Sequence, residues 1–565
     1  MVINALKKEG VDTVFGFPGG VVIPLFDELY KEPAIKVVLT RHEQGAIHAA
    51  DGYARATGKT GVCIVTSGPG ATNTVTGLAT ANFDSVPIVC ISGQVPTNMI
   101  GNDAFQEADT VGITRPVTKH NYIILDRKEL PLKLKESFFL AQSGRPGPII
   151  IDIPKDVFTG EADDEYPEDV SILGYNPVYK GHKGQIKKAA QAFSEASKPL
   201  FFIGGGVHIS GAAPSFKKLA EKTGIPVISS LMGIAAIPSD YPDFLGMLGM
   251  HGTYAANMAV SDCDLLIGIG VRFDDRATGD LAKFAPHAKI IHIDIDPSAI
   301  ARNVTVEVPI VGDARIILED LITNIEKKDI TPWQEQVHTW MKDKPLTTGP
   351  TAPRLSPANV IRRISHFFPD AVITTEVGQN QMWAALFYQF KEPRTWITSG
   401  GLGTMGYGFP AAIGAQFGRP DRRVIDIAGD GSFQMNSQEL ATAVHEKLPV
   451  IIAILNNGYL GMVRQWQEMF FGRRYSSTDI LIDRENNEKD GIGTPDFVKL
   501  ADAYGAAGFR ARTMEEVDDV LQKAMDITDR PIILDFHINY EANVFPMVPP
   551  GAGLNEMVLE EDGNE

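Results

Sequence analysis

The sequence predicts an α/β protein of three tandem doubly wound domains, each on a parallel sheet. Three observations carry this expectation. Short runs rich in Val and Ile alternate with helical patterns, the mark of parallel strands covered on both faces. Two charged or Pro-rich stretches, 159–183 and 344–357, break the series. The 565 residues suit three to four domains at about 150 residues each.

The first series of strands is KVVLT (36–40), GVCIV (61–65), PIVCI (87–91) and PIIIDI (148–153). The second is PLFFIGGG (199–206), PVISS (226–230), DLLIGIG (264–270) and KIIHIDID (289–296). The third is AVITTEVG (371–378), a short strand over Trp396 to Thr398, RRVIDIAGD (422–430), PVIIAILNN (449–457) and PIILDF (531–536). Domains are therefore expected at 1–160, 184–343 and 356–540, with a Pro- and Gly-rich tail at 541–565 that is either a lid or a frayed end. The first and third units share a layout of strand, polar Gly-rich turn, helix and strand, which hints at a duplicated module.

Fifty-two Lys plus Arg against 70 Asp plus Glu give a net charge of −18, which argues against a partner bound through nucleic-acid phosphates. The three cysteines, Cys63, Cys90 and Cys263, lie singly in apolar runs, so neither a disulfide framework nor a zinc ribbon is expected. There is no signal-peptide pattern and no run of about 18 apolar residues. A cytoplasmic protein with no membrane partner is the expectation.

Gly401-Leu402-Gly403-Thr404-Met405-Gly406 matches GxGxxG after a strand, with Asp426 twenty residues beyond it. A nicotinamide site is the disfavoured reading, because Asp426 falls inside a strand and a glycine turn for close helix packing explains the pattern equally well.

Asp430, in Gly429-Asp430-Gly431, and Asn457, in Asn456-Asn457-Gly458, end consecutive apolar strands. A right-handed crossover through SQELATAVHE sets both on one sheet edge. Two hard oxygen side chains there suit a magnesium ion that also holds phosphate oxygens.

GDG followed after 24 residues by NN resembles the thiamin diphosphate signature. GLGTMGYGFPAAIGA, GDGSFQMNSQELATA and LNNGYLGMVRQWQE resemble the catalytic subunits of acetohydroxyacid synthase, also called acetolactate synthase, over essentially the whole chain. The resemblance makes the three domains pyrimidine-binding, FAD-binding-like and diphosphate-binding. It implies that Asp430, the Asn457 side chain and the Tyr459 carbonyl hold magnesium. Gly378, Gln379, Asn380, Gly403, Gly429, Gly431, Ser432, Leu460, Gly461 and Met462 would surround the cofactor, and Met405 would support its folded rings.

Glu43 matches the family's activating glutamate, whose carboxyl bonds a pyrimidine nitrogen. Thr40 and Glu43 also fit a capping box worth about 1 kcal/mol. Within RFDDR (272–276), Arg276 resembles the residue that holds the carboxylate of the second 2-oxo acid, a task for a planar charged fork; a surface ion pair with Asp274 or Asp275 is its plainer reading. Trp466 matches the tryptophan of the acceptor pocket, and Phe105, Gln106 and Lys155 match further active-site positions. FAD would lie along Arg145, Gly204, Gly205, Gly206, Leu231, Met250, His251, Arg272, Asp294, Ile295 and Asp313.

The implied reaction joins the two-carbon unit of pyruvate to a second pyruvate or to 2-oxobutyrate, opening branched-chain amino acid synthesis. The implied partners are a second copy, as homodimer or homotetramer, and a small regulatory subunit. A pyruvate oxidase or decarboxylase on the same frame, and a non-catalytic sensor, are the rival readings. Departures from the family pattern are the polar insertion 483–493 and the loose turn GIAAIP (233–238).

Overall fold

The computed structural model describes residues 1–161, 165–348, 354–482 and 494–559; the insertion 483–493 lies outside them. Three six-stranded sheets organise the chain, and the strand pairs within them are parallel. The first holds β1 (Thr13–Phe17), β2 (Lys36–Leu39), β3 (Gly61–Val65), β4 (Ile88–Gln94), β5 (His120–Ile123) and β6 (Pro148–Pro154), in the order β2-β1-β3-β4-β6-β5. The central sheet holds β7 (Pro199–Ile203), β8 (Val227–Ser229), β9 (Phe244–Met247), β10 (Leu265–Ile269), β11 (Lys289–Asp294) and β12 (Val308–Val311), in the order β12-β11-β10-β7-β8-β9. The third holds β13 (Val372–Thr375), β14 (Trp396–Thr398), β15 (Val424–Gly429), β16 (Ile451–Asn456), β17 (Ala507–Ala511) and β18 (Ile532–His537), in the order β14-β13-β15-β16-β18-β17.

Numbered within each sheet, the first and third orders are identical, 2-1-3-4-6-5, as a duplicated module requires. The central order is 3-2-1-4-5-6, that of dinucleotide-binding doubly wound folds. Its strands β7 and β10 are buried along their whole length, because helices cover both sheet faces.

The first and third domains meet where helix Glu43–Thr57 crosses helix Gly408–Gly418. Side chains are excluded at the crossing: a Cβ on Gly52 would overlap the Ala411 carbonyl, and one on Gly414 the Ala49 carbonyl. Beside it Arg55 bonds Asp51 at 2.6 Å, Asp84 at 3.0 Å and the Thr398 carbonyl at 2.9 Å. Asp84 also accepts the amides of Gly400 (3.1 Å) and Gly401 (2.8 Å). This anchoring accounts for the glycine turn without a dinucleotide. Asp426 is wholly buried in β15, where it accepts from Thr374 at 3.3 Å, and does not reach a ribose site.

Two local expectations need correction. Thr40 does not cap the helix at Glu43; the N-cap is His42, whose Nδ1 accepts the Gln44 amide at 3.0 Å, and the Thr40 hydroxyl is buried against the Gly16 and His42 carbonyls. SQELATAVHE is not one helix but a 3-10 turn, Ser437–Glu439, running into Leu440–His445.

As far as Leu559 the tail is packed, not frayed. Val544 and Met547 are fully buried, and Val548, Leu554 and Met557 join the core of the central domain. The amide of Val548 donates to the Met250 carbonyl at 2.8 Å.

Candidate active site

In the third sheet the chain leaves β13 toward one edge and β15 toward the other, so the turns after these strands flank the switch point where open α/β sheets bind ligands. The turn after β13 carries Gly378, Gln379 and Asn380; the end of β15 and the turn after it carry Gly429 to Ser432; the turn after β16 carries Asn457 to Met462. Asn380 is pinned by donating to the Glu376 carbonyl at 2.9 Å and the Ile427 carbonyl at 2.8 Å. Its Oδ1 lies 3.3 Å from where a Gly429 Cβ would stand. Ser432 Oγ closes the β15 turn onto the Gly429 amide at 3.3 Å.

Asp430 is 2% exposed, and its Oδ2 accepts the Gly458 amide at 2.7 Å. Burial outweighs that bond and pushes its carboxyl up to about 7, a shift that a bound cation opposes. Asn457 Oδ1 accepts the Tyr459 amide at 3.0 Å, and its Nδ2 donates to Gln379 Oε1 at 3.5 Å. Helices Gln379–Phe387 and Gly461–Phe470 both begin here, directing their first-turn amides to where an anion would sit. They approach so closely that a Cβ on Gly461 would overlap Gln379 Oε1, while one on Gly431 would stand 2.9 Å from Leu460.

Among the described residues no cluster of three His, Cys, Asp or Glu can hold a metal. A cation must therefore use one carboxylate with neutral oxygens and ligand phosphates. Asp430, the Asn457 amide and the Tyr459 carbonyl fit a hard, partly hydrated ion such as magnesium.

A cavity of about 1510 Å³ opens beside these turns, lined by Gly378, Gly403, Met462 and Trp466 of the third domain and by Leu231, Met250, His251, Arg272 and Arg276 of the central one. A second space of about 410 Å³, sharing Arg145 and Arg272, continues past Gly205, Gly206, Asp294, Ile295 and Asp313. Of the expected flavin positions, Gly204 alone does not line these spaces. A Cβ there would overlap the Gly270 carbonyl, so that glycine serves strand packing. Two adjoining cavities on a sheet of dinucleotide-binding order fit an elongated flavin nucleotide.

Glu43, Phe105, Gln106 and Lys155 do not line the cavity of their own chain. Glu43 Oε2 accepts from Asn73 Nδ2 at 3.0 Å. Phe105 is 88% exposed, Gln106 holds a left-handed φ of 60°, and Lys155 stands exposed after β6. Met405 is half-buried between Gly403 and Gly406, both at positive φ.

Family models for thiamine pyrophosphate enzymes match all three domains: the N-terminal binding domain at 1–113, the central domain at 186–321 and the C-terminal binding domain at 376–536. The chain is 46% identical to the acetolactate synthase large subunit of Haemophilus influenzae, over 100% of this chain and 98% of that one. It is 45% identical to the isozyme 3 large subunit of Escherichia coli, over 99% and 98%. A probable large subunit of Methanocaldococcus jannaschii is 49% identical over 99% and 94%. The chain belongs to the acetolactate synthase large-subunit family.

Within this member of the acetolactate synthase family, some residues at the site escaped sequence reasoning. Glu376 is fully buried, pushed up to about 7 by desolvation, and accepts the Gly406 amide at 2.6 Å and the Phe409 amide at 3.1 Å, fixing the Met405 turn. Asp296 takes the Arg145 guanidinium at 3.3 Å. The signal for Glu376 was an acid directly ahead of Val377-Gly378 at the end of an apolar strand.

Proposed function

We propose that this chain decarboxylates pyruvate and joins the two-carbon unit to a second pyruvate, giving 2-acetolactate, or to 2-oxobutyrate, giving 2-aceto-2-hydroxybutyrate, as the first common step of branched-chain amino acid synthesis. The observation that carries it is the cavity beside the Asp430–Asn457 turns, where a guanidinium and an indole, Arg276 and Trp466, face one another across a domain boundary. Thiamin diphosphate, magnesium and FAD are the cofactors typical of the family.

Bound thiamin diphosphate supplies the carbon nucleophile and the electron sink for loss of carbon dioxide. Asp430, Asn457 and the Tyr459 carbonyl would hold the cation that neutralises its diphosphate. Glu43 would hold a proton at a ring nitrogen, and Met405 would support the rings. Arg276 binds the carboxylate of the second 2-oxo acid, and Trp466 shapes the space for its alkyl group. Arg145, Arg272, Asp294, Asp313, Gly205 and Gly206 would hold the flavin. Gln106, Lys155 and Phe105 complete the site from another copy; their placement outside their own chain's cavity supports a homodimer, or a homotetramer built from it. A separate small regulatory subunit and a cytoplasmic location are part of the same reading, the latter supported by three buried, unpaired cysteines. Among the described residues no helix is long and apolar enough to cross a membrane.

The test is incubation with thiamin diphosphate, magnesium, FAD and pyruvate, followed by acid conversion of any acetolactate to acetoin. Acid-dependent acetoin is expected. Acetaldehyde, or acetoin in the unacidified control, would replace ligation by decarboxylation; oxygen- or phosphate-dependent turnover would make it an oxidase.

A further inference from the structure

Gln465 is fully buried, although it adjoins the half-buried Trp466 on an amphipathic helix. Its amide is used at both ends. Oε1 accepts the Val544 amide at 2.9 Å and Gln379 Nε2 at 2.9 Å; Nε2 donates to the Val544 carbonyl at 3.0 Å and meets Met547 Sδ at 3.3 Å. Gln379 Nε2 donates also to the Ala542 carbonyl at 3.1 Å. With that nitrogen committed twice, Gln379 can turn only its oxygen toward Asn457, where Oε1 receives Nδ2 at 3.5 Å. Asn457 then has one orientation, with Oδ1 on the side of the Tyr459 amide.

The sense of an amide matters at a cation. Its oxygen is a ligand, whereas its nitrogen offers two hydrogens and repels a metal. A lone Asn can flip, losing ligand quality whenever it does. Here three amides in series, each correctly paired only if the previous one is, remove that freedom without adding charge.

We propose that Gln465 is a positioning residue that, through Gln379, fixes the Asn457 amide with its oxygen toward the metal. This rests on the cofactor site proposed above. Since Gln465 is itself held by Val544 and Met547, seating of the tail and metal affinity are one linked equilibrium.

The test is Mn²⁺ binding to the full chain with thiamin diphosphate, followed by electron paramagnetic resonance without turnover. Gln465→Met, of similar length but without an amide, is expected to weaken Mn²⁺ binding about tenfold. Gln465→Asn, which cannot span the same partners, carries the same expectation if the Met variant does not fold. Gln465→Glu, which still accepts from Gln379 but turns an oxygen onto the Val544 carbonyl, is expected to weaken Mn²⁺ binding less than Gln465→Met does. Gln379→Met should leave Gln465→Met with no further effect, as residues acting in series do not add. Unchanged affinity in the Met and Asn variants, or additive losses with Gln379→Met, would overturn the relay. Failure of the wild-type chain to hold Mn²⁺ with thiamin diphosphate would instead overturn the cofactor site.

Discussion

The Arg276 guanidinium lies over the indole of Trp466, 5.9 Å from the ring centroid, and joins the short central-domain helix Asp275–Thr278 to a third-domain helix. Its ion pair with Asp275 is loose, at 3.9 Å, so the plainer surface pairing does not use up the fork. A cation–π contact at a half-open site is worth about 0.5–1 kcal/mol. Trp466→Leu removes it together with one wall of the acceptor space. The ratio of aceto-hydroxybutyrate to acetolactate from mixed substrates should fall about tenfold; an unchanged ratio takes Trp466 out of the pocket.

Arg276→Lys keeps the charge and loses the fork. Acetolactate formation should then need several-fold more pyruvate for half-saturation, while thiamin diphosphate binding stays as in wild type. An unaltered pyruvate dependence would assign the second carboxylate to another group.

Glu43→Gln preserves the shape and the partner Asn73 but removes the acid. Proton transfer by a positioned side chain contributes about 10²–10⁴-fold, and ligation should drop by that factor. Quenching of intrinsic fluorescence by thiamin diphosphate and magnesium should persist. Full activity would end the proton-transfer role.

His48 is fully buried, edge-on to Tyr407 at 5.3 Å, with neither ring nitrogen hydrogen-bonded. Burial, aided by the nearby Arg55 charge, lowers its pKa from 6.5 to about 3. In the unfolded chain the imidazole takes its proton near the ordinary value, so the native state is at full advantage above pH 6.5 and loses it progressively toward pH 3, by about 1.4 kcal/mol per unit. His48→Leu should flatten the fall of apparent melting temperature between pH 6 and 4. A slope identical to wild type would place the acid-sensitive group elsewhere.

Gly414→Ala and Gly52→Ala force a Cβ into a facing backbone carbonyl. Loss on the order of 3 kcal/mol is expected, read as a lower melting temperature. Gly20→Ala, where a Cβ meets nothing within 4 Å, is the control, and equal behaviour of the three would mean that the crossing is compliant.

What could be read from sequence follows from burial. Strands covered on both faces, such as PIIIDI and PLFFI, announce themselves as apolar runs. The strands without a clear apolar run include β5, β9, β12 and β17, all at sheet edges, where one long side is open and the pattern weakens. The interior strand β1 is hard to read for a different reason: its TVFGF carries a glycine that lies too close to the Ile64 carbonyl to bear a side chain. The Asp430–Asn457 pair was legible because turn chemistry at consecutive strand ends is local in sequence. Glu376 beneath Met405 and Gln465 beneath Gln379 were not, since their meaning depends on partners 30 and 86 residues away.

The identical strand orders of the first and third sheets make the chain a pseudo-repeat, one half contributing Glu43 and the other Asp430. If each reaction centre takes one half from either copy, two crippled chains can cure each other. Mixed before assembly, a Glu43→Gln chain and an Asp430→Asn chain form hybrid pairs in which one centre bears both lesions and the other bears none. Random pairing would then restore about one quarter of normal turnover, whereas centres drawn from a single chain would stay silent. Ancestral duplication would thus survive as genetic complementation.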